Sequence, residues 1–358
     1  MTYVKPRKYR PLPITTPPEA SRPSLAAREH AEARRGRRWT PWVVSAGVLG
    51  ATIAALAVAR TLGRDTPPVV RSLRSRPRTF DWREHGVVYY QSGPAGAPPV
   101  VLVHSIHAAA SAWEWRGLFG ELAGDHRVYA YDLLGFGASE RPEVEYDADL
   151  YVELLRDFLA EVVEGPAHVV AASLSGAHAL VLAAEAPELF ASLTVVNPTG
   201  LVTQAGGQGW GGLALETLVR TPFVGEALFN LLVSRPSLRF FASRLYRGDN
   251  DRLVDATVDH GYVTAHQENA RFAAAAFLGQ HLAANVEEAL AALTVPTLAL
   301  WTDEGGAGPT DAERDAFAEA GGAALRHVFL AGLGALPHEE APDEVATVVR
   351  REVLHLSP

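Results

Sequence analysis

The chain has 358 residues, 48% of them apolar, and a formal net charge of −9. That apolar content excludes a globally disordered chain, and the length fits about two domains or one large α/β domain with an insertion. Cysteine is absent, which excludes disulfides, thiolate metal sites, a cysteine nucleophile and iron–sulfur clusters.

Residues 1–38 are rich in Pro and Arg, lack a sustained apolar period and read as a basic disordered arm. Residues 1–78 carry 16 Lys/Arg against 4 Asp/Glu, whereas residues 79–358 carry 16 Arg against 37 Asp/Glu. An acidic body repels nucleic acid, so no nucleic-acid partner is expected. Arg34, Arg35, Arg37 and Arg38 precede residues 39–59, a run of 21 residues without a charge. As a helix, such a run spans the ~30 Å of bilayer hydrocarbon. Trp39 and Trp42 stand at one end, where indole rings favour the lipid–water boundary. The segment predicts a single-pass membrane anchor. A cleaved signal ending at Ala57-Val58-Ala59 and a buried Ala-rich helix are the alternatives. The Arg cluster before Trp39 points to a cytoplasmic N-terminus and a body on the far side. Residues 60–78 read as a Pro/Arg linker.

From residue 79 the pattern changes. FDWREHGVVYYQSG reads as an antiparallel hairpin, and PPVVLVHS as a buried parallel strand. SAWEWRGLFGELA reads as helix, RVYAYDLLGFG as a strand ending at Asp132, and DLYVELLRDFLAEVV as helix. AHVVAASLS is strand then turn, GAHALVLAAEAPELF is helix and SLTVVNP is strand. VPTLALW, LRHVFLAG and the helix DEVATVVRREVL close the chain. Strands alternating with helices predict a mostly parallel sheet covered on both faces. Residues 200–285 break the rhythm with helical runs alone, which predicts a cap over the sheet's carboxyl edge, between core segments 79–199 and 286–358.

Four segments carry a resemblance: VLVHS, YDLLGFGASERP, AASLSG and LGALPHEEAPDEV. Together they make residues 79–358 resemble an α/β-hydrolase with a helical cap. The resemblance implies an eight-stranded, mostly parallel sheet and a nucleophile at the apex of a strand–turn–helix elbow. Ser173 stands at that apex, within Ala171-Ala172-Ser173-Leu174-Ser175, where Ala and Ser replace the two usual glycines. A serine there implies acyl transfer or carbon–carbon hydrolysis. The oxyanion hole falls to the N–H groups of Leu174 and Ile106. Ser105 replaces a usual Gly in that loop, and His104 and His107 flank it, His104 and Ser105 shaping the loop by hydrogen bonding. Asp132 closes its strand in the family's manner and is expected to be structural.

The base and acid depart from the pattern. Ala335 stands where the catalytic His is expected and Gly305 where the acid is expected. His338, three residues beyond Ala335, is the candidate base. Glu304 is the candidate acid that orients it, with Asp303 beside it. Asn197 cannot serve as an ionised acid, and His178 reads as a packing residue. The leading reading is a serine hydrolase cleaving an ester-like bond of a small or medium apolar substrate, with no metal or organic cofactor. The alternative is a non-catalytic member of the fold that binds an apolar ligand or a membrane partner.

Overall fold

The computed structural model describes residues 61, 66–69, 71–201, 210–248, 250–302 and 310–354. The arm, the uncharged run 39–59, and Asp303, Glu304 and Gly305 lie outside the described residues. No helix among the described residues is long and apolar enough to cross a membrane.

Eight strands form one sheet in the order β1-β2-β4-β3-β5-β6-β7-β8. They are β1 (Arg78–Trp82), β2 (His85–Ser92), β3 (Pro99–Val103), β4 (Arg127–Tyr131), β5 (Ala167–Ala172), β6 (Phe190–Val196), β7 (Thr297–Thr302) and β8 (Leu325–Leu330). β1 and β2 form an antiparallel hairpin, and β2 also runs antiparallel to β4. All other neighbours are parallel. Every residue of β5 and β7 is buried, as continuous apolar runs require when both faces are covered.

Helices α1 (Arg116–Leu122), α2 (Ala148–Phe158) and α3 (Leu174–Glu185) alternate with the strands. Asp147 caps α2 by accepting from the Leu150 N–H at 2.8 Å. Among the described residues, the insertion after β6 holds five helices: α4 (Trp210–Arg220), α5 (Val224–Leu232), α6 (Arg235–Ala242), α7 (Asp251–Ala265) and α8 (Arg271–Leu278). Short α9 (Glu287–Ala291) precedes β7, and α10 (Asp311–Ala320) opens on a Thr310–Glu313 capping box. Helices α11 (Pro337–Glu340) and α12 (Pro342–Val349) finish the fold. One buried cluster joins Phe80, Phe158, Leu180, Val195 and Phe317, and a second joins Trp115, Leu118, Leu102, Leu300 and Val345.

The body begins before residue 79. Leu73 is buried in the second cluster, and the Ser72 hydroxyl donates to Asp132 at 3.0 and 3.1 Å. Asp132 also accepts from the N–H groups of Ala112 at 2.7 Å and Ala138 at 3.0 Å, and from the Tyr90 hydroxyl at 3.3 Å. That carboxylate knots four segments together at the end of β4.

Candidate active site

The strand registers bring the carboxyl ends of β3, β5, β6 and β7 side by side. Val103 pairs with Ala171, Ala172 with Val196, and Val196 with Leu300. The residues that follow these ends therefore meet along one edge.

Ser173 links β5 to α3 at φ 52° and ψ −125°. This is backbone that L residues rarely adopt, so the apex is strained. The turn is held by Ser173 N–H donating to the Val196 carbonyl at 2.9 Å and Gly176 N–H donating to the Ser173 carbonyl at 3.0 Å. Ser175, in place of a glycine, adds a tie of its own. Its hydroxyl donates to the His104 carbonyl at 2.6 Å and binds the elbow to the loop after β3. Ser173 is half-buried and its Oγ makes no hydrogen bond with any described residue. Leu174 opens α3, so its N–H has no acceptor within the helix.

The loop after β3 is fixed from two sides. His104 Nε2 accepts from the Leu133 N–H at 3.0 Å, so its Nδ1 carries the proton and donates to the Ser105 carbonyl at 2.6 Å. Ser105 donates its N–H at 2.7 Å and its hydroxyl at 2.6 Å to the two oxygens of Glu114. Glu114 is a buried carboxylate in the 3-10 turn before α1, and sequence reading gave it no role. Burial pushes its carboxyl up. The His338 imidazole and the Ser105 hydroxyl outweigh burial and bring it down to about 2. The signal available in the sequence was Ser105 itself, since a buried hydroxyl in place of Gly needs an acceptor.

His338 belongs to this network. Its ring is fully buried, stacks on Trp115 with centroids 3.9 Å apart, and places Nε2 3.5 Å from Glu114 Oε1. Neither of its ring nitrogens makes a well-aligned hydrogen bond. The expectation that His338 serves Ser173 therefore meets a different geometry. Pro337 opens the single turn of α11, and that turn carries His338 inward against the turn before α1. The next two residues are also occupied. Glu339 Oε2 accepts from Arg116 Nη1 at 2.5 Å. Glu340 Oε1 accepts from the N–H groups of Gly334 at 3.1 Å and Arg247 at 2.9 Å.

Ala335, which stands where the base is expected, is held by neutral groups. The Asn197 amide donates to Thr302 Oγ1 at 2.8 Å and to the Ala335 carbonyl at 3.1 Å. Thr302 returns an N–H to Asn197 Oδ1 at 3.1 Å and donates its hydroxyl to the Gly334 carbonyl at 2.8 Å. The candidate acid Glu304 lies outside the described residues. No imidazole among the described residues hydrogen-bonds Ser173. His178 Nε2 donates to the Leu282 carbonyl at 2.7 Å, and burial lowers its pKa to about 4. His168 bonds Ser192 at 2.7 Å, His260 bonds Ser111 at 2.9 Å, and His281 pairs with Glu216 at 2.7 Å. His107 Nδ1 accepts from the Ala109 N–H at 3.3 Å, and burial lowers its pKa.

Residues 100–348 match the family model described as "Alpha/beta hydrolase family", well over half of the chain. The chain belongs to the alpha/beta hydrolase family. A curated relative is the 2-hydroxy-6-oxo-6-(2'-aminophenyl)hexa-2,4-dienoic acid hydrolase of Metapseudomonas resinovorans. It is 28% identical over 48% of this chain and 54% of its own length. The chain thus spans about half of that relative. Among solved structures, a serine hydrolase involved in carbazole degradation aligns with a TM-score of 0.63. It is 22% identical over 79% of this chain and 99% of its own. A bacterial membrane phospholipase A aligns with a TM-score of 0.61 and 20% identity, over 88% of this chain and 96% of its own. These two likenesses show the fold.

Proposed function

We propose that this alpha/beta hydrolase uses the cleft at Ser173 to bind a small or medium apolar carbonyl compound, without the Ser–His relay of a working serine hydrolase. One observation carries the reading: no imidazole among the described residues hydrogen-bonds Ser173 Oγ, and Ala335 stands where the base is expected, its carbonyl held by the Asn197 amide. A serine hydroxyl near its free pKa is a weak nucleophile. It still donates a hydrogen bond. The N–H groups of Leu174 and Ile106 would receive the carbonyl oxygen, and the helix dipole of α3 favours that end of the ligand. The apolar side chains of the five inserted helices favour an apolar remainder. The curated relative supports a carbonyl ligand, since its name describes the hydrolase of a 6-oxo dienoic acid. We further propose that residues 39–59 anchor the chain in a membrane. The membrane phospholipase A among the structural neighbours is consistent with that arrangement.

The second reading is the serine hydrolase with His338 as base and Glu304 as acid. The strained apex at Ser173 favours it, because strain of that kind is kept where a reactive side chain must be presented.

The full chain in detergent micelles is titrated with p-nitrophenyl butyrate, reading thermal shift and p-nitrophenol together. The proposal expects a saturable rise in Tm, abolished by Ser173→Trp, with the ester recovered intact. Release of p-nitrophenol that disappears in Ser173→Ala and His338→Ala establishes the second reading instead.

A further inference from the structure

Seven large apolar side chains are exposed among the described residues, and six fall in one 24-residue window. They are Leu218, Phe223, Val224, Leu231, Phe240 and Phe241, with exposures of 41–65%. They lie along α4, α5 and α6 and the turns between them. Concentration of this kind marks a surface made for an apolar partner.

Three observations identify that partner. The first is charge. Residues 210–248 hold 5 Arg and 2 Glu, whereas residues 79–358 taken together hold 16 Arg against 37 Asp/Glu. Arg220 pairs with Glu216, and Arg235 and Arg239 pair with Asp259 and Asp255 of α7. Arg244 lies over the Phe240 ring at 3.5 Å. Arginines beside exposed aromatic rings are the composition of a face that rests at the headgroup level of a bilayer. The second is placement. Ala109 meets Gly261, Ser111 meets His260, and Gly334 meets Leu245, so the inserted helices cover the carboxyl ends of the strands. The third is the tether. The Gln267 amide, just past α7, donates to the Pro67 carbonyl at 3.0 Å. Pro67 follows Ala59, the last residue of the uncharged run, by eight residues. Eight extended residues reach at most ~28 Å. The chain therefore arrives at the inserted helices a short distance after the end of the run.

We infer that the apolar face of α4–α6 docks on the lipid surface in which residues 39–59 are anchored, so that the cleft opens toward the bilayer. This rests on the anchoring reading above. Its consequence is that the ligand reaches Ser173 from the lipid phase, which suits an apolar carbonyl compound.

The absence of cysteine makes the test direct. Phe241→Cys and Ala95→Cys are made in the full chain and labelled with an environment-sensitive nitrobenzoxadiazole dye. Ala95 is exposed in the loop before β3, at the strands' amino-terminal edge. Both variants are reconstituted into vesicles of phosphatidylcholine and phosphatidylglycerol with brominated acyl chains. The expected result is co-flotation of both, several-fold quenching at position 241 and none at 95. Co-flotation without quenching at 241 overturns the docking while leaving the anchor intact. Dye–dye self-quenching at 241 in place of bromine quenching assigns the face to a second copy of the chain and also overturns it. Failure to co-float overturns the anchoring reading, and the docking falls with it.

Discussion

Ser173 holds a backbone conformation suited to glycine, and its hydroxyl makes no hydrogen bond with a described residue that would offset the strain. Ser173→Gly is expected to raise unfolding free energy by about 1 kcal/mol in urea titration, and a loss of stability would show the strain is absent. Glu114 behaves in the opposite way. Its folded-state pKa is depressed from 4.5 to about 2, so its stabilising contribution is complete above pH ~5 and is lost as pH falls toward 2. Glu114→Ala strands the Ser105 donors and the imidazole, at a cost of about 3–5 kcal/mol at pH 7. Glu114→Gln is expected to flatten the acid limb of the stability–pH curve between pH 5 and 2, and an unchanged limb contradicts the assignment. The nucleophile position was legible in the sequence because an elbow is a local pattern of strand, small residues and helix. The partnership of Glu114 with Ser105 and His338 was not. It joins residues 9 and 224 positions apart through burial alone, and no spacing rule announces it.

At the level of elements, alternation of apolar runs and amphipathic stretches was sufficient to place the strands. The hairpin, the buried parallel strands and the helical insertion between β6 and β7 all follow from periodicity. Less legible was the start of the body, because Ser72 and Leu73 sit in an Arg-rich stretch whose composition reads as linker. The tail motif shows why a motif does not give a geometry. His338, Glu339 and Glu340 are consecutive, yet they face Glu114, Arg116 and the Gly334 backbone respectively. Packing of α1 on α12 sets the position of that motif, and it is close. A Cβ at Gly117 would stand 2.7 Å from Pro342 Cβ. Gly117→Ala is therefore expected to destabilise by about 1–3 kcal/mol and to lower the apparent affinity for p-nitrophenyl butyrate. Unchanged stability would show that the two helices separate without cost.

Across the whole molecule, the fold presents Ser173 at the elbow, no imidazole among the described residues hydrogen-bonds it, and Asn197 ties Thr302 to the Ala335 carbonyl beyond the ends of β6 and β7. Alpha/beta hydrolase membership does not by itself give the chemistry, which depends on whether an imidazole reaches Ser173. The decisive measurement is fluorophosphonate labelling of the full chain, read by intact mass beside a control serine hydrolase. No adduct on the native protein, under conditions that label the control completely, is the result expected of a serine with no relay. A single adduct lost in both Ser173→Ala and His338→Ala would contradict the account and make this protein a serine hydrolase.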